Sequence, residues 1–175
     1  LDVLDKVNNE WTDKPDDPAY CRVITKLVER GHFGQKSGIG MYQYEGRKST
    51  PNPEVAELAR TEATTLGIPQ IEVSDGEIIE RLMYSMVNEG ALILQEGIAA
   101  RPSDIDVVYA HGYGMPRYRG GPMHYADAIG IEEVVSAIGK YRSRYGDLYW
   151  TPAALLAELA GSNRSFSDWA IDQGS

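Results

Sequence analysis

The chain has 175 residues, of which 42% are hydrophobic and 25% are charged, so it can form one substantial core or two small ones. Lys and Arg number 17 against 26 Asp and Glu, which gives a formal net charge of -9. Nucleic acids and anionic membranes are bound through basic patches, so this charge argues against both as partners. Any phosphate-bearing ligand would have to be held by a local cluster of cations.

Cysteine and histidine usage argues against a disulfide framework and a metal site. Cys21 is the only cysteine, and we expect an inert core thiol on the apolar side of a helix. His32, His111 and His124 lack the spacing of metal ligands, so no metal is predicted. No segment approaches the roughly 18 apolar residues of a membrane span, and the N-terminus lacks a signal pattern, which favours a cytoplasmic protein.

The first predicted helix covers residues 1–11. Leu1, Leu4 and Val7 share one face, and no capping residue precedes them. We therefore interpret the segment as part of a helix whose start lies before residue 1. The same spacing of apolar residues recurs in residues 131–141, and this similarity is a minor indication of an internal repeat.

Two Asx-Pro pairs predict the next helix starts. Asp17 and Pro18 indicate a helix from Asp16 to Gly31, and Asn52-Pro53 indicates one that Gly67 ends. Between these helices, residues 39–44 could form a short extended piece, and residues 45–51 read as a polar connection.

The segment Gly34–Gly40 is glycine-rich and contains Lys36, a pattern that suggests a phosphate loop. Its spacing is not that of a Walker A motif, because Gln35 separates Gly34 from Lys36 and no strand precedes them. We therefore favour a structural turn, with Lys36 as a minor candidate for an anionic contact.

A long helix is predicted to begin at Ser74, which can form a capping box with Glu77. Its glycines, Gly90 and Gly97, each cost roughly 1 kcal/mol relative to Ala and indicate close approach of another helix. The predicted core stripe comprises Ile79, Leu82, Met83, Met86, Val87, Ile93 and Leu94. The opposite face carries Arg81, Tyr84, Ser85, Asn88 and Leu92. This face is either exposed to solvent or forms a second, more hydrated contact surface.

After this helix, Arg101-Pro102 predicts another helix start, with Ser103 and Asp104 as caps. Residues 111–122 contain four glycines and two prolines, which exclude a regular element. Arg and aromatic side chains on such a turn usually serve recognition or packing between parts of a protein.

The C-terminal third is predicted to contain a short helical turn over residues 123–129 and a helix over residues 131–145 that Gly146 ends. Thr151-Pro152 begins a last helix. Residues 162–175 read as a polar tail whose Phe166 and Trp169 pack back onto the body.

Several motifs resemble one known family in order and spacing. The runs Arg81–Gly90, Glu96–Ala99, Ser103–Asp106 and Gly112–Pro122 are similar to the C-terminal domain of 3-hydroxyacyl-CoA dehydrogenases. The similarity is greatest to the multifunctional fatty-acid oxidation enzymes, which fuse an enoyl-CoA hydratase/isomerase part to a dehydrogenase. Phe33–Tyr42 resembles the signature that closes the first helical repeat in this family.

The resemblance implies an all-α fold of tandem helical repeats, of the 6-phosphogluconate dehydrogenase C-terminal-like type. On this interpretation, residues 1–50 are the C-terminal part of the first repeat. Residues 51–175 then contain the linking helix and the complete second repeat, with the boundary near Thr50.

The resemblance also implies a parent enzyme of fatty-acid β-oxidation that transfers hydride between NAD and the substrate. In the family, a His–Glu pair on a separate dinucleotide-binding domain does the chemistry, and that domain has no counterpart in this sequence. A further family Asn stands in an Asn-Arg pair at the start of the first repeat, a part that this sequence lacks. At the equivalent position of the second repeat, Glu80 precedes Arg81. No catalytic residue is therefore carried over, and no cofactor is expected in this chain alone.

We expect a scaffold that shapes the acyl-CoA cleft against the missing dinucleotide-binding domain and is inactive by itself. A homodimer is a candidate assembly. Glu89 has two interpretations, an acid/base group or a structural partner of Arg117 or Arg119, and we favour the second. The alternative function is a stand-alone helical interaction module without catalysis. The candidate residues of the cleft or inter-domain contact are Asn88, Glu89, Arg117, Tyr118, Arg119, Gly120, Gly121 and Pro122.

Overall fold

The computed structural model describes residues 1–174, which form two compact units that divide between Glu72 and Val73. In the described part, nine α-helices and a single two-stranded hairpin confirm the predicted all-α fold. No helix among these residues is long and apolar enough to cross a membrane. Unit 1 contains α1 (Asp2–Glu10), α2 (Arg22–Glu29), β1 (Tyr42–Glu45), β2 (Lys48–Pro51) and α3 (Pro53–Thr65). Unit 2 contains α4 (Asp75–Gln95), α5 (Pro102–Gly112), α6 (Pro122–Ile129), α7 (Ile131–Tyr145), α8 (Ala154–Gly161) and α9 (Phe166–Asp172).

In unit 1, α2 begins six residues later than the predicted start at Asp16. The Asp17 carboxylate accepts a hydrogen bond from Ala19 N–H at 2.8 Å and closes a separate turn instead of capping the helix. Cys21 follows with a left-handed φ of 54°, so it precedes the helix and does not lie on its apolar face. The predicted C-terminal glycine is confirmed, since Gly31 has φ 77° and its N–H donates to the Val28 carbonyl.

The predicted extended piece forms β1, but the prediction of a polar connection over residues 45–51 is wrong. Those residues turn at Gly46, where φ is 61°, and return as β2 antiparallel to β1. Asn52 then starts α3 as predicted: its side-chain oxygen accepts from Glu54 N–H at 3.1 Å, and its amide donates to the Gly40 carbonyl at 2.8 Å. The asparagine thus joins the hairpin region to the helix.

The division between the units differs in position from the predicted boundary near Thr50. Helix α3 packs on α2 within unit 1, where Arg22 forms an ion pair with Glu62. The assignment of residues 1–50 and 51–175 to two helical repeats stays a prediction, and its last residue, Ser175, lies outside the described residues.

Helix α4 is the central element of unit 2, and its start at Ser74 is confirmed by a 3.1 Å hydrogen bond from Glu77 N–H to Ser74 Oγ. The reciprocal half of the predicted capping box is absent from the described contacts. The Glu77 carboxylate instead accepts from the Tyr145 hydroxyl on α7 at 2.8 Å. A tertiary contact has therefore replaced a local one.

The predicted core stripe of α4 is only partly correct. Val87 and Leu94 are buried, whereas Ile79 and Leu82 are 54% and 61% exposed. The buried face instead includes Tyr84 and Ala91, and α6, α7 and α8 all pack on α4. Of the face predicted as a second contact surface, Tyr84 is thus part of the core, whereas Ser85 is exposed.

The two glycines of α4 have different roles. A Cβ at Gly90 would overlap the Met123 sulfur on α6, which confirms the predicted close approach of a helix. Gly97 has φ 70° and follows the end of α4, so its predicted place inside the helix is wrong. It terminates the helix, and Ile98 N–H donates back to the Ile93 carbonyl.

The remaining elements complete the core around α4. The starts of α5 at Pro102 and α7 at Ile131 and the end of α7 at Gly146 agree with prediction, although no side chain caps α5. The predicted polar tail contains α9, which begins with a complete Ser165–Asp168 capping box. Phe166 is fully buried and Trp169 packs against the core, as predicted.

Candidate functional site

The segment between α5 and α6 presents the predicted turn of arginine, tyrosine and glycine residues. Residues 111 and 112 complete α5, and Arg117–Arg119 form one turn of 3-10 helix. Met115 N–H donates to the Tyr109 carbonyl at 3.1 Å, which folds the connection back onto α5. Gly120 then reverses the chain with φ 70°. We call Arg117–Arg119 the basic turn.

Asp106 on α5 fixes the C-terminal side of the basic turn. Its carboxylate accepts hydrogen bonds from Met123 N–H at 2.8 Å and His124 N–H at 3.1 Å, in the first turn of α6. Burial raises the pKa of Asp106, against the lowering effect of these two N–H groups. Gly121 lies so close that a Cβ would overlap the Asp106 backbone. Gly121 and Pro122 are therefore buried attachment points of the turn rather than exposed contact residues.

The basic turn itself projects into solvent. Arg117 and Arg119 are exposed, and Tyr118 between them is 82% exposed. The Arg119 guanidinium lies 5.4 Å from the centroid of the Tyr118 ring. Within residues 1–174, neither arginine has a carboxylate partner, whereas the other arginines of unit 2 all form ion pairs. These paired arginines are Arg81, Arg101, Arg142, Arg144 and Arg164.

Neither Glu89 nor Asn88, which we predict to support the turn, forms a hydrogen bond or ion pair with the basic turn in the described part of the chain. Glu89 is exposed, and in the described part of the chain no ion pair joins it to Arg117 or Arg119. The Asn88 amide donates to the Thr151 carbonyl at 2.9 Å, and its oxygen accepts from Ala153 N–H at 2.8 Å. Asn88 thus holds the connection between α7 and α8, and its role in a cleft stays a prediction.

An apolar groove of about 480 Å³ opens between the C-terminal part of α4 and α5. Ile98 and Tyr113, two of its lining residues, are 72% and 77% exposed. Sequence reasoning missed this groove. The only signal in the sequence is the apolar pair Val107-Val108, which has polar neighbours on α5. This pair does not indicate which of the two valines lines a groove. The other apolar lining residues are Ile93, Ala99, Ala100, Ile105, Val108 and Tyr109.

Glu80, which departs from the family pattern before Arg81, is held by α7. Its carboxylate accepts from the Tyr141 hydroxyl at 2.5 Å. Burial, then the bond to Glu80, raises the pKa of Tyr141. The Arg81 guanidinium stacks 4.5 Å from the centroid of the neighbouring Tyr145 ring. The hydrogen bond between Tyr141 and Glu80 therefore connects α7 to α4 and occupies the Glu80 carboxylate.

The sequence of unit 2 matches a known family. The model of the 3-hydroxyacyl-CoA dehydrogenase C-terminal domain matches residues 76–166, just over half of the chain. The human peroxisomal bifunctional enzyme is 42% identical over 161 residues, which cover 89% of this chain and 22% of that protein.

Bacterial and plant proteins match over a similar span. The fatty acid oxidation complex subunit alpha of Vibrio parahaemolyticus is 34% identical over 144 residues, covering 82% of this chain and 20% of that protein. The peroxisomal fatty acid beta-oxidation multifunctional protein of rice is 33% identical over 143 residues, covering 79% of this chain and 20% of that protein. The chain spans about a fifth of the length of these relatives. It belongs to the 3-hydroxyacyl-CoA dehydrogenase C-terminal domain family.

Proposed function

We propose that this chain is the helical C-terminal part of an NAD-dependent 3-hydroxyacyl-CoA dehydrogenase of fatty-acid β-oxidation. The observation that carries the proposal is the family match over residues 76–166, which falls entirely within unit 2. In this role the chain shapes the acyl-CoA cleft and the domain or subunit interface. It is inactive alone.

The polar contacts within unit 2 support a structural role. Carboxylates and amides that lie between helices are engaged by groups of another element: Glu80 with Tyr141, Asn88 with residues 151 and 153, and Asp106 with the start of α6. Such contacts hold a rigid surface in a defined shape, which is what positioning a substrate requires.

The partners follow from this proposal. A dinucleotide-binding domain of the same parent protein packs against the chain, carries the catalytic pair and holds most of the NAD. The basic turn and Gly120 lie at that interface or face the acyl-CoA, while the buried Gly121 and Pro122 hold the turn in place and Asn88 and Glu89 stand on the supporting helix. In the alternative arrangement, a second copy of the chain in a homodimer supplies the surface that closes the acyl-CoA cleft. The stand-alone interaction module is not favoured, because the matched relatives are β-oxidation enzymes by name.

The parent protein is proposed to carry an enoyl-CoA hydratase activity as well, as in the multifunctional enzymes that the sequence resembles. The cytoplasm is the proposed compartment, and the peroxisome named for the human and rice relatives is the alternative. Fluorescence microscopy of the tagged parent protein, with a peroxisomal marker, distinguishes the two compartments.

The test is an NADH-oxidation assay with acetoacetyl-CoA. It is run on this chain alone, on the separately produced dinucleotide-binding part of the parent protein, and on their mixture. We expect no turnover from the chain alone and a saturable gain when the chain is added to the dinucleotide-binding part. Turnover by the chain alone would show that it carries its own catalytic groups. A mixture no faster than the dinucleotide-binding part would contradict a role in shaping the cleft.

A further inference from the structure

A polar cavity of about 350 Å³ lies in unit 1, between the C-terminal part of α1, the connection that follows it and α2. Asn8 lines this cavity although it is only 7% exposed, and its side-chain oxygen has no hydrogen-bond donor within residues 1–174. A buried amide oxygen without a donor costs free energy, so folded proteins rarely leave one in that state. The cavity therefore needs an occupant that donates an N–H or O–H bond to Asn8.

The charge on the cavity wall indicates which kind of donor fits. Asp17 lines the same cavity, and its carboxylate accepts a hydrogen bond from Ala19 N–H at 2.8 Å. A carboxylate has two oxygens and accepts several hydrogen bonds at once, so this bond leaves acceptor capacity for a ligand. A primary ammonium group satisfies both Asn8 and Asp17, because it carries a positive charge and three N–H donors.

Lys14 adds a positive charge to the same wall. It is exposed, and in the described part of the chain it forms no ion pair. The other cations that line the cavity are compensated, since Lys26 pairs with Glu29 at 2.8 Å and Arg22 pairs with Glu62. A ligand that matches this wall therefore carries an anionic group as well as an ammonium group.

Contacts within the protein hold the cavity walls in position. The Thr25 hydroxyl on α2 donates to the Asp5 carboxylate on α1 at 2.6 Å. The Trp11 ring meets the Tyr20 ring edge-on, with 6.3 Å between the ring centroids. Binding therefore has to order little additional structure. The cavity volume of about 350 Å³ lies at the lower end of the range for ligand pockets, which suits a small metabolite.

We propose that unit 1 carries a binding site for a free amino acid. The ammonium group donates to the Asn8 oxygen and to the Asp17 carboxylate, and the ligand carboxylate pairs with Lys14. An amino acid unites both charged groups in a molecule that is small enough for the cavity. The site lies outside residues 76–166, which carry the family match, and it is independent of the proposed function.

The experiment is isothermal titration calorimetry of the 175-residue chain with L-serine and two analogues that each change one group. L-Glycerate has a hydroxyl in place of the ammonium group, and L-serinamide has an amide in place of the carboxylate. We expect L-glycerate to bind at least about tenfold more weakly than L-serine, because the bonds to Asn8 and Asp17 lose their charge. L-Serinamide should bind about threefold to fivefold more weakly, since it loses only a contact with an exposed cation.

Variants of two lining residues locate the ligand. Asn8→Leu keeps a side chain of similar size but removes the acceptor, and it should weaken L-serine at least about tenfold. The melting temperature of this variant without ligand should not fall, because the oxygen that it removes has no donor among the described residues. Lys14→Gln should weaken L-serine about threefold to fivefold. The control Lys48→Gln removes an exposed cation that does not line the cavity and should leave the affinity unchanged.

Four results would overturn the proposal. The absence of a heat of binding with L-serine would leave an ordered water as the partner of Asn8. Equal affinities for L-serine and L-glycerate would exclude an ammonium site, and an unchanged affinity in Asn8→Leu would exclude this cavity. A large fall in the melting temperature of Asn8→Leu would assign Asn8 a structural role. None of these results affects the NADH-oxidation assay.

Discussion

The absence of a side chain at Gly121 allows the start of α6 to pack closely against Asp106. Gly121→Ala would place a methyl group on the backbone of Asp106, where no flexible side chain can move away. We expect the free energy of unfolding to fall by about 1–3 kcal/mol, the usual cost of overpacking. Chemical denaturation measures it. The matched control is Gly139→Ala on the exposed side of α7, where the added methyl meets nothing within 4 Å and helix propensity favours Ala. A neutral Gly121→Ala would show that α6 is not tightly held.

Asp127 on α6 has the same role for α9 that Asp106 has for α6. Its carboxylate accepts from Phe166 N–H at 2.8 Å, from Ser167 N–H at 3.0 Å and from the Ser167 hydroxyl at 2.7 Å. Asp127→Ala should lower the free energy of unfolding by about 1–3 kcal/mol, because it leaves these donors without their acceptor. Glu158→Ala, an exposed carboxylate on α8, is the control and should change stability by less than about 0.5 kcal/mol.

At the scale of elements, the burial of Tyr84 on α4 predicts a loss of stability in alkali. Burial, and after it the nearby Glu80 carboxylate, raises the pKa of Tyr84 to about 12 from its ordinary value of 10.0. The folded state therefore holds this proton more tightly than the unfolded state. The resulting stability is fully present below pH 10 and is lost as the pH rises from 10 to about 12.

Urea denaturation between pH 9 and 12 tests this expectation. Tyr84→Phe keeps the ring but cannot ionise, so its stability should decline less steeply than that of the wild type above pH 10. Tyr118→Phe, at a residue that is 82% exposed, should follow the wild type. Identical slopes in all three proteins would mean that the Tyr84 hydroxyl does not contribute through its ionisation.

Elements whose ends depend on neighbouring residues were predictable from the sequence. Ser74, Asn52 and Gly146 mark helix ends correctly, because a cap is a contact between residues that are two to four apart. Ser165 and Asp168 carry the same signal for α9. The start of α2 could not be read in this way, since it depends on the left-handed conformation of Cys21.

The faces of the elements were less predictable than their ends. Periodicity predicts one apolar stripe on α4 but does not say which part of the helix surface another helix will cover. Tyr84 is buried, while Leu82 is exposed. The basic turn was recognised from its glycines, prolines and arginines. The groove beside it was not, because it is formed by α4 and α5 together and no local pattern encodes their separation.

At the scale of the whole molecule, the segment from Gly67 to Glu72 joins two units that each have internal contacts of their own. All six of its residues are exposed, and none lies in a helix or strand. Brief digestion with thermolysin, which favours apolar sites such as Ile68 and Ile71, should cut there first. Mass spectrometry should then find a persistent fragment that contains α4 to α9. Early cleavage inside α4 or α7 would contradict the division into units.

Two helices of unit 2 are capped by carboxylates that belong to other helices, and this affects how unit 2 unfolds locally. An ordinary cap lies next to its own helix, and such a helix end can fray without disturbing anything else. Here α6 depends on Asp106 of α5, and α9 depends on Asp127 of α6, so each helix end is also a tertiary contact. The first amides of the seven-residue α9 should therefore exchange with deuterium only when unit 2 opens as a whole, at the slow rate of the α4 core.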